Sequence, residues 1–502
     1  MERKIESNKM KKLGEILDAK LSVEICGDLK NLPVNNICDN SLNVSEGDMF
    51  VAINGTNDNG SKYINDAIQR GAKFIVTQSR NFGVRKNGDV VFIEVENIRH
   101  ELAGMCEKFF DHPRDNFKCV AAVTGTNGKS STVDITRQIW EHAKTSAASI
   151  GTLGVAIGNK LEKLSRNLTT PGVLEMQKIF SHLAEQKIKN VALEASSHGL
   201  SQNRLDGVNP DICAFTNFTQ DHLDYHKTFE NYWNAKSKLF SECASSNSIF
   251  VVNVDDPCSE KILKIARDRE IKFFGYGRDA KNIKLKNVEQ NSEGQLIEIS
   301  AFGRDYKFAL NLCGTFQAYN CLCALGICLH SGVEIESAIE ALGQLRQISG
   351  RMEKVASHNG ADIFIDYSHT PDALKKALIS LRATTKNRLV VLFGCGGDRD
   401  HEKRKLMGEI AEKFADWVTI TDDNPRFESP EAIRKMVIEG APNAIEIADR
   451  RTAIQETIKI LLPGDILLIA GKGHENYQQV KDQLIHFSDK EVISETVDAI
   501  SK

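Results

Sequence analysis

The 502-residue sequence contains no C-x-x-C pair, no apolar run of about 18 residues, no low-complexity tract and no internal repeat. Without a long apolar run there is no helix to span a bilayer. The first residues, MERKIESNKMKKLGEIL, are charged throughout, unlike a secretory leader. Of the twelve cysteines, Cys321 and Cys323 are the closest pair, which excludes the usual zinc and dithiol spacings. Cys119 and Cys213 lie inside apolar, strand-like runs, where a free thiol acts as a small hydrophobe. Reduced thiols and a cytoplasmic location are therefore expected. Charge of one sign is also lacking. With 64 Lys and Arg against 68 Asp and Glu the net charge is −4, so neither nucleic acid nor an anionic membrane is expected as a partner.

A chain this long cannot share one core, and its pattern breaks into three blocks. Residues 1–112 carry short strands (DMFVAIN, KFIVTQ, DVVFIEV) and a helix near 61–71, before HPRDN at 112–116 reads as a linker. Residues 113–347 alternate apolar strand-length runs with helix-compatible segments, as in NVALEAS, ICAFTNF and IFVVNV. Hairpins are expected over 283–310 and a helix over 320–332. Residues 348–502 alternate again, and DIFIDYS, RLVVLFGCGG, WVTITDDN, AIEIAD and DILLIAGKG each end in a Gly-, Asp- or Asn-rich turn. Such alternation predicts α/β domains with parallel, helix-covered sheets, whose ligands sit beyond the carboxyl ends of the strands.

The first such strand end is KCVAAVTGTNGKSS at 118–131. It lacks a glycine at Val123, so it is not the usual G-x-x-x-x-G-K-[ST] loop. Gly125 and Gly128 still allow backbone N–H groups to approach an anion at a helix start. Lys129 can reach phosphate oxygens, and the Ser130 hydroxyl can meet Mg²⁺. Nucleoside triphosphate binding is expected here.

Other strand ends hold polar clusters. In EASSHGLSQNR, Glu194 could ligate a metal and Ser196, Gln202 and Arg204 suit a polar anionic substrate; equally, Ser196 could simply cap a helix. A Ser-His hydrolase lacks its G-x-S-x-G elbow here. In TNFTQDHLDYH, His222 between Asp221 and Asp224 could bind metal or be merely solvated. Mixed oxygen and nitrogen ligation suits Mg²⁺ or Mn²⁺ beside phosphates better than structural zinc. Further on, Arg399, Asp423, Asn424, Arg426 and Glu475 combine guanidinium forks with carboxylates, a mixture that a zwitterionic amino acid requires; each alone could be a surface turn.

Taken in order, GTNGKS, the EASSHGL run, the DHLDYH run, YWNAKSKLF, ISGRME, DYSHTPDAL, GCGGDRD, DNPR and GKGHE resemble the Mur ligases of bacterial cell-wall synthesis along nearly the whole chain. The resemblance implies a three-domain architecture: a UDP-substrate domain over 1–112, a central ATP-binding domain over 113–347 and a Rossmann-like amino-acid domain over 348–502. It implies that Gly125, Thr126, Asn127, Gly128, Lys129, Ser130 and Ser131 bind ATP. By the same resemblance Glu194 and His222, with Ser130, hold Mg²⁺, and Lys236 is a lysine carbamylated by CO₂. A local reading would make Lys236 a solvated helix residue. Ser41, Thr56, Asn57 and Asp58 match uridine-side contacts, and Thr169, Thr170, Ser196, Gln202 and Arg204 match contacts to the sugar-dipeptide. Arg399, Asp423, Asn424, Pro425, Arg426, Gly471 and Glu475 match a diaminopimelate pocket.

The implied activity is ATP-driven addition of meso-diaminopimelate to the D-glutamyl γ-carboxylate of a UDP-linked muramoyl dipeptide, in peptidoglycan precursor synthesis. Lys129, Glu194, His222 and Lys236 form the catalytic group, and the substrates are small molecules acting on a monomer. The alternatives are a lysine-adding or folylpolyglutamate-type ligase, or a catalytically silent nucleotide-binding module. Departures from the family pattern fall at Leu42, where the family has arginine, and at Gln317, Ser349 and Ser368.

Overall fold

The computed structural model describes residues 10–18, 27–55, 59–79, 83–162, 168–291 and 294–500. Three sheets organise them. The first has five strands in the order Ile37–Cys38, Met49–Val51, Phe74–Gln78, Val90–Val95 and Gly83–Asn87, parallel except for the last pair. Helix Ile98–Phe109 buries Ile98, Leu102, Met105 and Phe109 against it. The segment expected as a linker forms a short turn, Pro113–Asn116. Arg114 ties that turn to the next sheet through Asp211 Oδ2 at 2.6 Å and the Val208 carbonyl at 3.0 Å.

The second sheet has eleven strands. Its middle is parallel, running Ala147–Gly151, Asn190–Glu194, Cys119–Thr124, Ile212–Phe215, Ile249–Asn253 and Phe273–Gly277. The central strand shows why its sequence is a continuous apolar run. Cys119, Ala121 and Val123 face one core with helices Lys129–His142 and Thr315–His330, whereas Val120 and Ala122 face the other with helices Val173–Glu185 and Phe229–Lys238. Both faces are dry, so no polar alternation appears. The hairpins expected over 283–310 extend this sheet as Ile283–Asn291, Gly294–Ala301 and Arg304–Leu310.

The third sheet has six strands: Glu353–His358, Ala361–Asp366, Ile466–Ala470, Leu389–Phe393, Trp417–Ile420 and Ile445–Glu446, parallel after the first. Its central strands again split between two cores, Leu389, Val391 and Phe393 facing one and Val390 and Leu392 the other. The hairpin Tyr477–Val480 and Gln483–His486 stands outside the sheet. Among the described residues no helix is long and apolar enough to cross a membrane.

Candidate active site

The glycine turn after Cys119–Thr124 is shaped by its neighbours. Gly125 has φ +151°, and a Cβ there would lie 1.9 Å from Thr216 Oγ1; Gly128 has φ +87°, and its Cβ would lie 2.3 Å from Asn320 Oδ1. Only glycine fits either place. The turn is buttressed by 216–219. Thr126 N donates to the Asn217 carbonyl at 2.8 Å, Asn127 N to Asn217 Oδ1 at 3.0 Å, and Thr216 Oγ1 to the Asn127 carbonyl at 2.6 Å. Helix Lys129–His142 begins at once, aiming its N-terminal amides into a cavity of about 920 Å³.

Lys129 Nζ donates to the carbonyls of Gly125 at 2.9 Å and Thr126 at 2.8 Å. Lys236 Nζ donates to Gly125 O at 2.7 Å and lies 4.6 Å from the centre of the Tyr232 ring. Burial lowers the pKa of both lysines, most strongly at Lys236, where the Lys129 charge adds to the effect. Lys236 is 2% exposed, so the solvated reading of this helix position is corrected: the inner face of helix Phe229–Lys238 packs it beneath the loop.

Glu194, 1% exposed at its strand end, accepts hydrogen bonds from Thr152 N at 2.8 Å and Thr152 Oγ1 at 3.3 Å. His222 has φ +54°, and its ring meets His198 edge-on at 4.7 Å. Enclosure in the cleft walls pulls its pKa down to about 3, against the opposing pull of Asp221, leaving a neutral imidazole with a lone pair. Ser130 Oγ accepts from Arg351 Nη2 at 2.9 Å. Carboxylate, neutral imidazole and hydroxyl all line the same cavity, a donor set that fits a hard divalent cation completed by phosphate oxygens. Among the described residues no cluster of three or more His, Cys, Asp or Glu could hold a metal alone.

Ser196 does cap helix Ser197–Ser201, accepting from Gly199 N at 3.0 Å, while still lining the cavity. Thr170 Oγ1 lies 3.0 Å from Ser196 Oγ, Arg204 Nη1 donates to the Thr170 carbonyl at 2.9 Å, and Arg204 Nη2 to Gln202 Oε1 at 2.7 Å. Thr169 joins by way of Thr152 Oγ1 at 3.0 Å and Glu194, whose backbone carbonyl accepts from Thr170 Oγ1 at 2.7 Å. These five residues thus form one network. Ser41 lies apart, in the turn Ser41–Asn43 of the first sheet, with Leu42 68% exposed beside it. Thr56, Asn57 and Asp58 lie outside the described residues.

Of the amino-acid-side residues, Arg399 lines the main cavity. The others cluster close by: Asn424 Nδ2 donates to Glu475 Oε2 at 3.0 Å, Gln478 Nε2 to the Asp423 carbonyl at 2.6 Å, and Arg426 Nη1 to the Gly397 carbonyl at 2.8 Å. A Cβ on Gly471 (φ +109°) would lie 2.8 Å from Asp423 Oδ2, so this turn packs directly on the carboxylate. Burial favours protonation of Asp423, but Lys472 and Arg450 override it and hold the carboxyl ionised; Glu475 is raised by burial and by Asp423.

Three residues escaped the sequence reading. Arg351 reaches Ser130 and lies 4.5 Å over the Tyr367 ring; it stands in ISGRME, quoted above only as a marker. Arg99 spans the first two sheet units, donating to the Asn54 carbonyl at 3.1 Å and the Gln202 carbonyl at 3.5 Å. Lys472 is fully buried, donating to Asn424 Oδ1 at 3.0 Å and the Tyr477 carbonyl at 2.8 Å. Its position between two glycines reads as a surface turn and gives no local sign of burial.

The second and third sheet units line one cleft together, with the glycine-lysine turn, Glu194 and His222 from one and Arg399 from the other, and comparison with known proteins makes the chain an ATP-dependent ligase. Family models described as Mur ligase family, catalytic domain, Mur ligase middle domain and Mur ligase, glutamate ligase domain match residues 33–110, 123–328 and 350–473. The chain belongs to the Mur ligase family. A UDP-N-acetylmuramoyl-L-alanyl-D-glutamate--2,6-diaminopimelate ligase of a Chelativorans species is 40% identical over 484 residues, covering 96% of this chain and 98% of its own. A ligase of the same name from Rickettsia typhi is 42% identical over 470 residues, 92% and 93% of the two chains. A solved structure of a UDP-N-acetylmuramoyl-L-alanyl-D-glutamate--2,6-diaminopimelate ligase shares 29% identity at a TM-score of 0.67, covering 98% of this chain and all of that one. The MurF ligase of Thermotoga maritima in complex with ADP shares the fold, at 18% identity and a TM-score of 0.63 over 92% of this chain and 97% of its own.

Proposed function

We propose that this chain joins meso-2,6-diaminopimelate to the D-glutamyl γ-carboxylate of UDP-N-acetylmuramoyl-L-alanyl-D-glutamate, using ATP, in peptidoglycan precursor synthesis. One observation carries the reading: a single cavity is lined by the phosphate loop, by Glu194, His222 and Lys236, by Thr169, Ser196 and Arg204, and by Arg399 from the third sheet. Three reactants can therefore meet there, which supplies much of the rate. Relatives named for 2,6-diaminopimelate favour this reading over the lysine-adding one.

In this reading the γ-carboxylate attacks the γ-phosphate of ATP, giving an acyl phosphate and ADP. The incoming amine then attacks the acyl carbon, phosphate leaves, and the new amide nitrogen gives up a proton. Lys129 exchanges its two loop carbonyls for phosphate oxygens and stabilises the charge that develops there. Glu194, His222 and Ser130 would hold Mg²⁺, the last after Arg351 releases its hydroxyl; the ion, when bound, neutralises phosphoryl charge. The network of Thr169, Thr170, Ser196, Gln202 and Arg204 orients the sugar-dipeptide, while Ser41 and residues 56–58 take the uridine end. Arg399, Asp423, Asn424, Pro425, Arg426, Gly471 and Glu475 receive the amino acid, carboxylates facing its ammonium and guanidiniums its carboxylates. Lys236 reacts as the neutral amine with CO₂, becoming an anionic carbamate. The working units are residues 1–112, 113–347 and 348–502, acting as a cytoplasmic monomer.

The test is direct. Purified protein receives ATP, Mg²⁺ and the UDP-linked dipeptide, with meso-diaminopimelate and lysine offered in parallel, and product mass is read. Nucleotide-linked tripeptide containing diaminopimelate is expected; its absence while ATP still binds would refute the assignment.

A further inference from the structure

Two turns carry guanidiniums on the amino-acid side of the cleft, 394–399 and 422–428, and they are zipped together. Gly397 N donates to the Asn424 carbonyl at 2.9 Å, Phe427 N to Asp398 Oδ2 at 3.2 Å, and Arg426 Nη1 back to the Gly397 carbonyl at 2.8 Å. A Cβ on Gly397 would stand 2.0 Å from the Pro425 carbonyl oxygen, so the contact is backbone on backbone. Arg426 itself has φ +51°, a left-handed conformation that a non-glycine residue adopts at a cost. Hairpin 477–486 holds it there: Arg426 N donates to the Gln479 carbonyl at 3.1 Å and Lys481 N to the Arg426 carbonyl at 2.8 Å.

Behind the zipper lies one more pair. Arg404, in helix Glu402–Phe414, has a fully buried side chain, and its Nη1 and Nη2 reach Glu428 Oε2 and Oε1, both at 2.8 Å. Its Nη2 also donates to the Gly396 carbonyl at 3.1 Å, and Glu428 Oε1 accepts from Asp398 N. Arg404 and Glu428 thus join one turn to the other from beneath, without lining the cavity themselves.

We propose that Arg404 and Glu428 are a positioning pair that fixes the Arg426 guanidinium, and so set the preference for a diamine with a second carboxylate over one without it. This rests on the assignment of Arg426 to the amino-acid site. A fork recognises a carboxylate at two points only when its own position is held to within about 0.5 Å. The Arg426 guanidinium keeps one protein hydrogen bond among the described residues, to Gly397, so the turn that carries this carbonyl fixes where the fork points.

The test uses the full-length protein and the ratio of kcat/KM for meso-diaminopimelate to that for lysine. A wild-type enzyme without preference would refute the substrate reading itself, before the pair is tested. Given a preference, Glu428→Gln keeps the shape but turns an amide N–H₂ toward a donor. The ratio is expected to fall about tenfold, through KM for diaminopimelate, with KM for ATP and for the UDP-linked substrate unchanged. A merely structural tether would lower the unfolding midpoint and leave the ratio alone, and that result overturns the proposal. Glu428→Asp keeps the charge but loses reach, and decides the matter if the glutamine variant does not fold: an intermediate ratio supports the pair, a wild-type ratio overturns it.

Discussion

Lys129 opens a helix and Lys236 lies in the last turn of another, yet both Nζ atoms donate to the same acceptor, the carbonyl oxygen of Gly125, at 2.9 and 2.7 Å. Two cations on one buried oxygen repel, and the cost falls on Lys236, whose pKa burial already depresses. In the proposed carbamylation the neutral amine attacks CO₂, the N–C bond forms, a proton leaves, and the repulsion between the two lysines becomes attraction. Protein equilibrated with ¹³C-bicarbonate is therefore expected to show a carbamate carbon resonance that Lys236→Arg lacks. The same variant is expected to lose about 100-fold or more in kcat while still binding ATP. An identical spectrum for both proteins would refute the modification.

The glycine turn makes a separate prediction. Gly125→Ala places a methyl 1.9 Å from Thr216 Oγ1 at φ +151°, so the turn must shift and carry its amides with it. ATP affinity measured by calorimetry is expected to fall at least about tenfold, since a displacement of under 1 Å spoils several N–H contacts together. Unchanged affinity would mean that these amides do not cradle the phosphates.

Gly104 provides the opposite case. It lies inside helix Ile98–Phe109, its φ is not positive, and a Cβ would meet nothing within 4 Å. Gly104→Ala is expected to stabilise the protein by about 0.5–1 kcal/mol in denaturant unfolding, by removing backbone freedom from the unfolded chain.

What the sequence made legible was local. Strand Cys119–Thr124 and the turn behind it follow from an apolar run, two glycines and a helix start, and the buried parallel strands follow from their length and composition. The third-sheet edge was harder: AIEIAD was expected as a strand, but only Ile445–Glu446 pairs, and both residues are exposed. An edge position needs less apolar surface, and pattern alone cannot set its length. The buried cations were invisible for a related reason. Lys236, Arg404 and Lys472 are buried by what packs over them, and Arg351 acquires its meaning only because the start of the third unit comes back to Ser130. These are contacts between distant segments, and composition and spacing do not encode them.

Selectivity bears directly on Arg426. In the proposed site the Arg426 guanidinium faces the second carboxylate of diaminopimelate, and with lysine it faces none. Leaving a charged donor unpaired costs about 1–3 kcal/mol. Arg426→Ala is therefore expected to lower the diaminopimelate-to-lysine ratio of kcat/KM by roughly 5- to 150-fold, mostly by loss of the diaminopimelate reaction. A ratio that does not move would remove Arg426 from the recognition of the second carboxylate.

The last prediction concerns acid stability at the same turn. Hydrogen bonding from Arg404 lowers the pKa of Glu428 from about 4.5 to about 2. A carboxyl depressed in the folded state is deprotonated there while the unfolded chain still binds a proton, so stability rises with pH between the two values. The contribution is complete above about pH 4.5 and is lost as pH falls toward 2. Because Glu428 is partly open to solvent, screening reduces it to on the order of 1 kcal/mol. Wild type and Glu428→Gln are thus expected to differ most in unfolding free energy above pH 5 and to converge as pH falls toward 2, since glutamine cannot titrate. A difference that stays constant across that range would show that the Arg404 pairing does not depend on charge. The pair would then act on the turn through shape alone.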